Sequence, residues 1–144
     1  MSVQMDAVVI DRPIEEVFGY FVNFENSPTY GRSEVSVKAT EGPITVGTIF
    51  DEESRIMGRT MKHQSQITEL APPTAMAYTN TFVNGMTEQA RFTFTGVEGG
   101  TSMVGSADVQ MPKAPQLLAG FFTKQMTKQV TRLLEDFKET VEST

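Results

Sequence analysis

Few residues in this chain can do chemistry, and most of them fall on stretches that alternate apolar and polar. There is one His and no Cys. Successive side chains of a strand point to opposite faces, so one inward residue assigns the others. Over residues 47–57, Glu52 and Ser54 share a side with Phe50 and Ile56, against Asp51, Glu53 and Arg55. Over 60–70, His63 and Ser65 lie with Met61 and Ile67, against Lys62, Gln64 and Gln66. Over 75–83, Tyr78 and Asn80 lie with Met76 and Phe82, and over 86–96 Glu88 lies with Ala90, Phe92 and Phe94. Over 101–111, Met103, Val109 and Met111 share a face with Gly105 and Ala107, a small pair that leaves room. One face is therefore apolar with a few polar groups, the composition of a small-molecule site. On such a face His63 has the chemistry of a general acid or base, tuned by Glu52 and assisted by Tyr78. A buried carboxylate needs a partner, so Glu52 should meet His63 or Tyr78, or reach water in an open cavity. The plainer alternatives are a structural histidine, a core tyrosine with its hydroxyl at the edge, and glutamates near strand ends.

Several chemistries find no support. Metal sites need clustered His, Cys or carboxylates, so no metal is expected. No P-loop and no GxSxG elbow occurs, and no bound cofactor is implied. The net charge of −6 disfavours nucleic acid. No apolar run reaches the ~20 residues that cross a bilayer, and the N-terminus lacks a signal-peptide pattern, so a cytoplasmic protein is expected. Lys113, Lys124, Lys128 and Arg132 read as a solvated helix face with pairs such as Arg132–Asp136, or as a surface that touches anionic lipid transiently. Nine Met suit a wall that adapts to varied apolar shapes, and equally a loosely packed core.

These stretches belong to an ordered series of elements. Residues 3–10 read as a strand. Pro13 opens a helix with Glu15 and Glu16 in its first turn and a stripe of Ile14, Val17, Phe18 and Phe21. A loop or short turn covers Glu25–Arg32, a strand covers 34–40, and the strands above follow. Their breaks are Gly42-Pro43, Gly58, Pro72-Pro73, Asn84-Gly85 and Gly99-Gly100. Lys113–Val141 is one long helix whose stripe runs Leu118, Phe121, Phe122, Met126, Val130, Leu133, Leu134, Phe137 and Val141. Strand, helices, six strands and a long helix make one α+β domain over residues 1–144.

This order resembles the SRPBCC (START/Bet v 1-like) superfamily, in particular its polyketide cyclase/dehydrase-like branch. The residues that carry the likeness are Ile10-Asp11-Arg12-Pro13 with Glu16-Val17-Phe18, Asn26, Pro28 and Tyr30, and Val46-Gly47-Thr48 with Phe50. Gly58-Arg59, Ile67-Thr68-Glu69 before Ala71-Pro72-Pro73, and Gly99-Gly100-Thr101 complete it. The resemblance implies a helix-grip fold. A seven-stranded curved antiparallel sheet would wrap a long C-terminal helix, with short helices between the first two strands and an apolar cavity between the layers. Many relatives carry Trp where this chain has Tyr30, giving the ring there a polar tip. On that fold the expected ligand wall is Tyr30, Phe50, Ile56, Met61, His63, Tyr78, Asn80, Phe82, Glu88, Phe92 and Met103. Leu118, Phe121, Phe122 and Met126 of the helix face it. Three functions fit: a carrier of a lipid, quinone or aromatic polyketide-like molecule; a cyclase or dehydratase using His63, Glu52 and Tyr78; and a protein-interaction module like the superfamily's chaperone activators. Homodimerisation is left open.

Overall fold

Alternating apolar residues and regularly spaced turns build an antiparallel sheet, and the helices gather on its apolar side. The computed structural model describes residues 2–31, 34–39, 41–56, 58–83, 85–112 and 119–144, with backbone alone at 34, 35, 56, 119 and 122. Two short strands, β1 (Ser2–Gln4) and β2 (Val8–Ile10), come first. Next are α1 (Ile14–Val22), a 3-10 turn at Phe24–Asn26, and α2 (Ser27–Tyr30). The sheet continues as β3 (Glu34–Ala39), β4 (Ile49–Ile56), β5 (Arg59–Ala71), β6 (Ala75–Phe82), β7 (Thr87–Val97) and β8 (Gly100–Gln110). α3 (Ala119–Glu142) ends it. Strand order is β1-β8-β7-β6-β5-β4-β3, with β2 also on β8 and every pair antiparallel. This is the expected helix-grip, with one correction: the strand expected over 3–10 is two, giving an eight-stranded sheet.

Between β1 and β2, Met5 N donates to Gly105 O at 3.0 Å. A Cβ on Gly105 would lie 2.4 Å from Phe92 Cε1 and 2.6 Å from Met5 Sδ. The room expected beside Gly105 is thus filled by Phe92 and Met5.

The core occupies one end of the inner face. α1 buries Val17, Phe18, Phe21 and Val22. Phe18 meets Phe94 edge-on at 5.3 Å and Phe21 meets Phe92 at 4.6 Å. Phe24 stands on Phe50 at 4.8 Å and on Tyr78 at 4.9 Å. From α3, Leu134, Phe137 and Val141 complete the cluster, and Phe137 touches Phe21 at 5.3 Å. Each such side chain contributes about 1.5–3 kcal/mol by leaving water.

The C-terminal end of α3 is also held by charge. Lys138 Nζ lies 2.7 Å from Val9 O and 2.7 Å from Glu142 Oε2. Asp11 N donates to the same carboxylate at 2.8 Å. The Arg12 guanidinium donates to the Glu142 carbonyl and, at 3.3 Å, to that of Thr144. Cations at a helix C-terminus satisfy carbonyls with no partner in the helix and favour its dipole. The Lys138 hydrogen bond, with that from Asp11, holds the Glu142 carboxyl below the usual range. The N-terminal half of α3 is different: between Thr123 and Gln129 only Thr123 and Met126 are even half-buried.

Candidate functional site on the inner face

The β4–β5 ladder runs without a register shift. Phe50 opposes Ser65, Glu52 opposes His63, and Ser54 opposes Met61. β5 and β6 then pair His63 with Phe82 and Ser65 with Asn80, and β6 and β7 pair Asn80 with Glu88. Four neighbouring strands thereby carry a polar line on the inner face, Glu52–Ser65–Asn80–Glu88, with His63 and Ser54 beside it. A bulge between Ile67 and Glu69 resets the alternation beyond the line. Leu70 therefore packs on the core, while Glu69 pairs with Arg91 on the outside at 2.8 Å.

Hydrogen bonds connect the line. Ser65 Oγ bonds both Glu52 Oε2 and Asn80 Oδ1. Asn80 Nδ2 donates to Glu88 Oε1 at 3.1 Å. His63 Nε2 lies 2.7 Å from Ser54 Oγ, and Phe82 stacks on the imidazole at 4.6 Å. His63 Nδ1 is 3.3 Å from Glu52 Oε2, close enough for an ion pair, yet this buried atom makes no hydrogen bond. Burial pushes the His63 pKa down, opposed in part by the nearby Asn80 side chain. A neutral imidazole beside a carboxyl group, and not an imidazolium–carboxylate pair, is the arrangement that follows.

Glu52, Ser54, His63 and Ser65 are buried, whereas Met61, Tyr78, Asn80 and Glu88 remain half-buried, as does Met126 on α3. Other members of the expected wall are core. Phe50, Phe92 and Met103 have 0–1% of their surface free, because α1 and the 3-10 turn lay Phe18, Phe21 and Phe24 over that end of the sheet. Tyr30 is buried too, its ring edge-on to Phe137 at 4.9 Å. Phe121 is 54% exposed, so it stands at the start of the helix and not in the packed wall. Leu118 and the side chains of Ile56 and Phe122 lie outside the described residues. Ser65, the centre of the line, was visible by parity but carried no assigned role. Two open hollows, of about 500 and 580 Å³, lie on the outer side of the sheet. Alternation puts Gln89 and Arg91 on the first and Asp51 and Gln64 on the second, which backs onto Glu52 and His63 through the sheet. Among the described residues no three potential metal ligands gather.

A family described as "Polyketide cyclase / dehydrase and lipid transport" matches residues 2–142. No curated protein sequence matches the chain. Among solved structures, TTHA0849 from Thermus thermophilus is 18% identical with a TM-score of 0.81, over 99% of this chain and 98% of that one. Ara h 8.0201 is 15% identical with a TM-score of 0.77, over 100% and 99%. The di-domain ARO/CYC BexL from the BE-7585A biosynthetic pathway is 17% identical with a TM-score of 0.78, over all of this chain and 50% of that one. At these identities the likeness is one of fold.

Proposed function

We propose that this chain, which belongs to the polyketide cyclase/dehydrase and lipid transport family, binds a small apolar or amphipathic molecule. The guest lies between the inner face of the sheet and the N-terminal half of α3. Tyr78, Asn80 and Glu88 carry this conclusion. They sit on the two central strands β6 and β7, face the helix layer, and yet are only half-buried. Half-burial at the centre of the sheet leaves these groups within reach of a guest. Met61, Tyr78 and Phe82 give it soft and aromatic walls, and the polar line gives it orientation. A lipid, a quinone or an aromatic polyketide-like molecule suits such walls. Native mass spectrometry of freshly purified protein is expected to show a co-purified small molecule, or one bound apolar fluorescent probe after its addition. Met126→Trp, which fills space from the helix side, should lower probe binding with the fold unchanged. No bound mass and no probe uptake would overturn the proposal.

One observation favours a cyclase or dehydratase-type reaction in the same space. His63 and Glu52 lie on one face, 3.3 Å apart, with His63 Nδ1 unpartnered. A positioned base of this kind contributes about 10²–10⁴-fold in rate. On an aromatic polyketide-like substrate, His63→Ala is expected to lose that factor in kcat, and an unchanged kcat rules the reaction scheme out.

A further inference from the structure

The N-terminal half of α3 sorts its side chains by charge. From Ala119 to Leu134 the helix has no Asp or Glu, and it carries Lys124, Lys128 and Arg132. At the helical repeat of about 3.6 residues per turn, these three and Phe121 fall within about 80° of one another. That arc lies opposite the buried stripe of Leu134, Phe137 and Val141. Burial agrees: Thr123, Met126 and Val130 on the inner side are half-buried, whereas Phe121, Lys124, Lys128 and Arg132 are exposed. Phe121 keeps 54% of its surface free, so its ring stands among the cations on the outside of the molecule. Glu135 and Glu139 follow on the same face, which changes sign along the helix.

The three cations are not neutralised by what lies around them. Among the described residues none of them joins an ion pair. β1, β2 and α2 pack on α3, and their sequences Ser-Val-Gln, Val-Val-Ile and Ser-Pro-Thr-Tyr hold no charge. The net charge of −6 belongs to the chain as a whole. At physiological salt, charges more than about 8 Å away are largely screened, so a surface touching this face meets the cations first. A solvated basic face needs no aromatic ring. A bilayer interface, by contrast, presents phosphates above an apolar layer, so cations meet the headgroups while a ring beside them enters the boundary below. A polyanion offers the charge without that layer.

We infer that this face docks reversibly on an anionic lipid surface, with Phe121 in the boundary between headgroups and acyl chains and Lys124, Lys128 and Arg132 on lipid phosphates. One ring and three cations hold a protein weakly, so it touches the surface and leaves. Docking brings to the membrane the half of α3 that has few buried contacts. On the ligand reading above, on which this clause alone rests, that half covers the guest, and an apolar molecule then passes between lipid and protein without crossing water.

Vesicle flotation of the full chain, with no guest added, tests the docking, so its failure is separate from that of ligand binding. The protein is expected to bind phosphatidylcholine vesicles that contain phosphatidylglycerol and not phosphatidylcholine alone. Binding should be lost at about 1 M salt, where the screening length falls to about 3 Å. Each cation near an anionic surface adds about fivefold, so Lys128→Gln should weaken binding about fivefold and Lys124→Gln with Lys128→Gln about twenty-five-fold. Phe121→Ser should weaken it about tenfold through lost apolar burial. Arg55→Gln removes the same charge from an exposed position on the outer side of the sheet and should change nothing. All these side chains are exposed, so the substitutions leave the fold intact. No binding to the anionic vesicles, equal binding to both kinds, or an equal loss in Arg55→Gln overturns the inference. Should Phe121→Ser bind as the wild type does while the lysine variants fail, the face takes a polyanion, and the lipid assignment is overturned.

Discussion

His63 gives the molecule a pH dependence of definite sign. Burial lowers its pKa below the ordinary 6.5, so the unfolded chain takes up the proton more readily than the native state. Its contribution is therefore present above the unfolded value and lost as pH falls through the lowered native one. Other groups titrate in the same range, so the comparison must isolate the histidine. Between about pH 7 and about pH 5, the urea midpoint of the wild type should fall more than that of His63→Gln. Equal falls would show that burial of the imidazole contributes nothing. The faces of these residues were legible because alternation is strict: with Phe50 inward, Glu52 and Ser54 must be inward as well, and no bulge intervenes. The central place of Ser65 was not legible. Alternation gives a face but no distance, and a small hydroxyl leaves no mark on a hydrophobic pattern.

The halves of α3 follow the same apolar stripe, yet they are different elements. Phe137 is fully buried and meets Phe21 and Tyr30, whereas Phe121 is 54% exposed. Phe137→Ala should cost about 3–5 kcal/mol, as a cavity in a packed core does. Phe121→Ser should change stability by no more than about 0.5 kcal/mol. Urea unfolding measures both, and comparable losses would mean that α3 packs along its whole length. Periodicity finds a helix and its apolar face, but what covers that face comes from distant residues. Phe18, Phe21 and Phe24 cover one end of the sheet, and the pattern of α3 holds no record of them. The interruption between β1 and β2 was hidden for the same reason. Residues 3–10 look like one strand, but Met5 between β1 and β2 hydrogen-bonds Gly105, about a hundred positions away. Conversely, Arg12 reads as part of a family motif, and the fold explains it: its guanidinium binds the carbonyls at the end of α3.

At the scale of the whole molecule, the order of elements and their turns fixed the architecture, since hairpins with a closing helix have few ways to bury one apolar face. Function was less legible because one fold hosts several chemistries. The distribution of burial along the molecule nevertheless has a consequence for binding. α3 is anchored at its C-terminal end by Leu134, Phe137, Val141 and the Arg12–Lys138–Glu142 contacts. Its N-terminal half has few buried contacts, so that half should open at lower free energy than the rest. Amide hydrogens of residues 123–130 should therefore exchange faster than those of 134–141. A guest held beneath this half would bind the closed form alone and should slow its exchange selectively. At a hundredfold excess over Kd the gain is about 2.7 kcal/mol, which also raises Tm. A rise in Tm with uniform slowing across α3 would place the guest elsewhere, for instance in the outer hollow lined by Gln89 and Arg91. Protection confined to 123–130, and lost in Met126→Trp, would place it between the helix and the polar line.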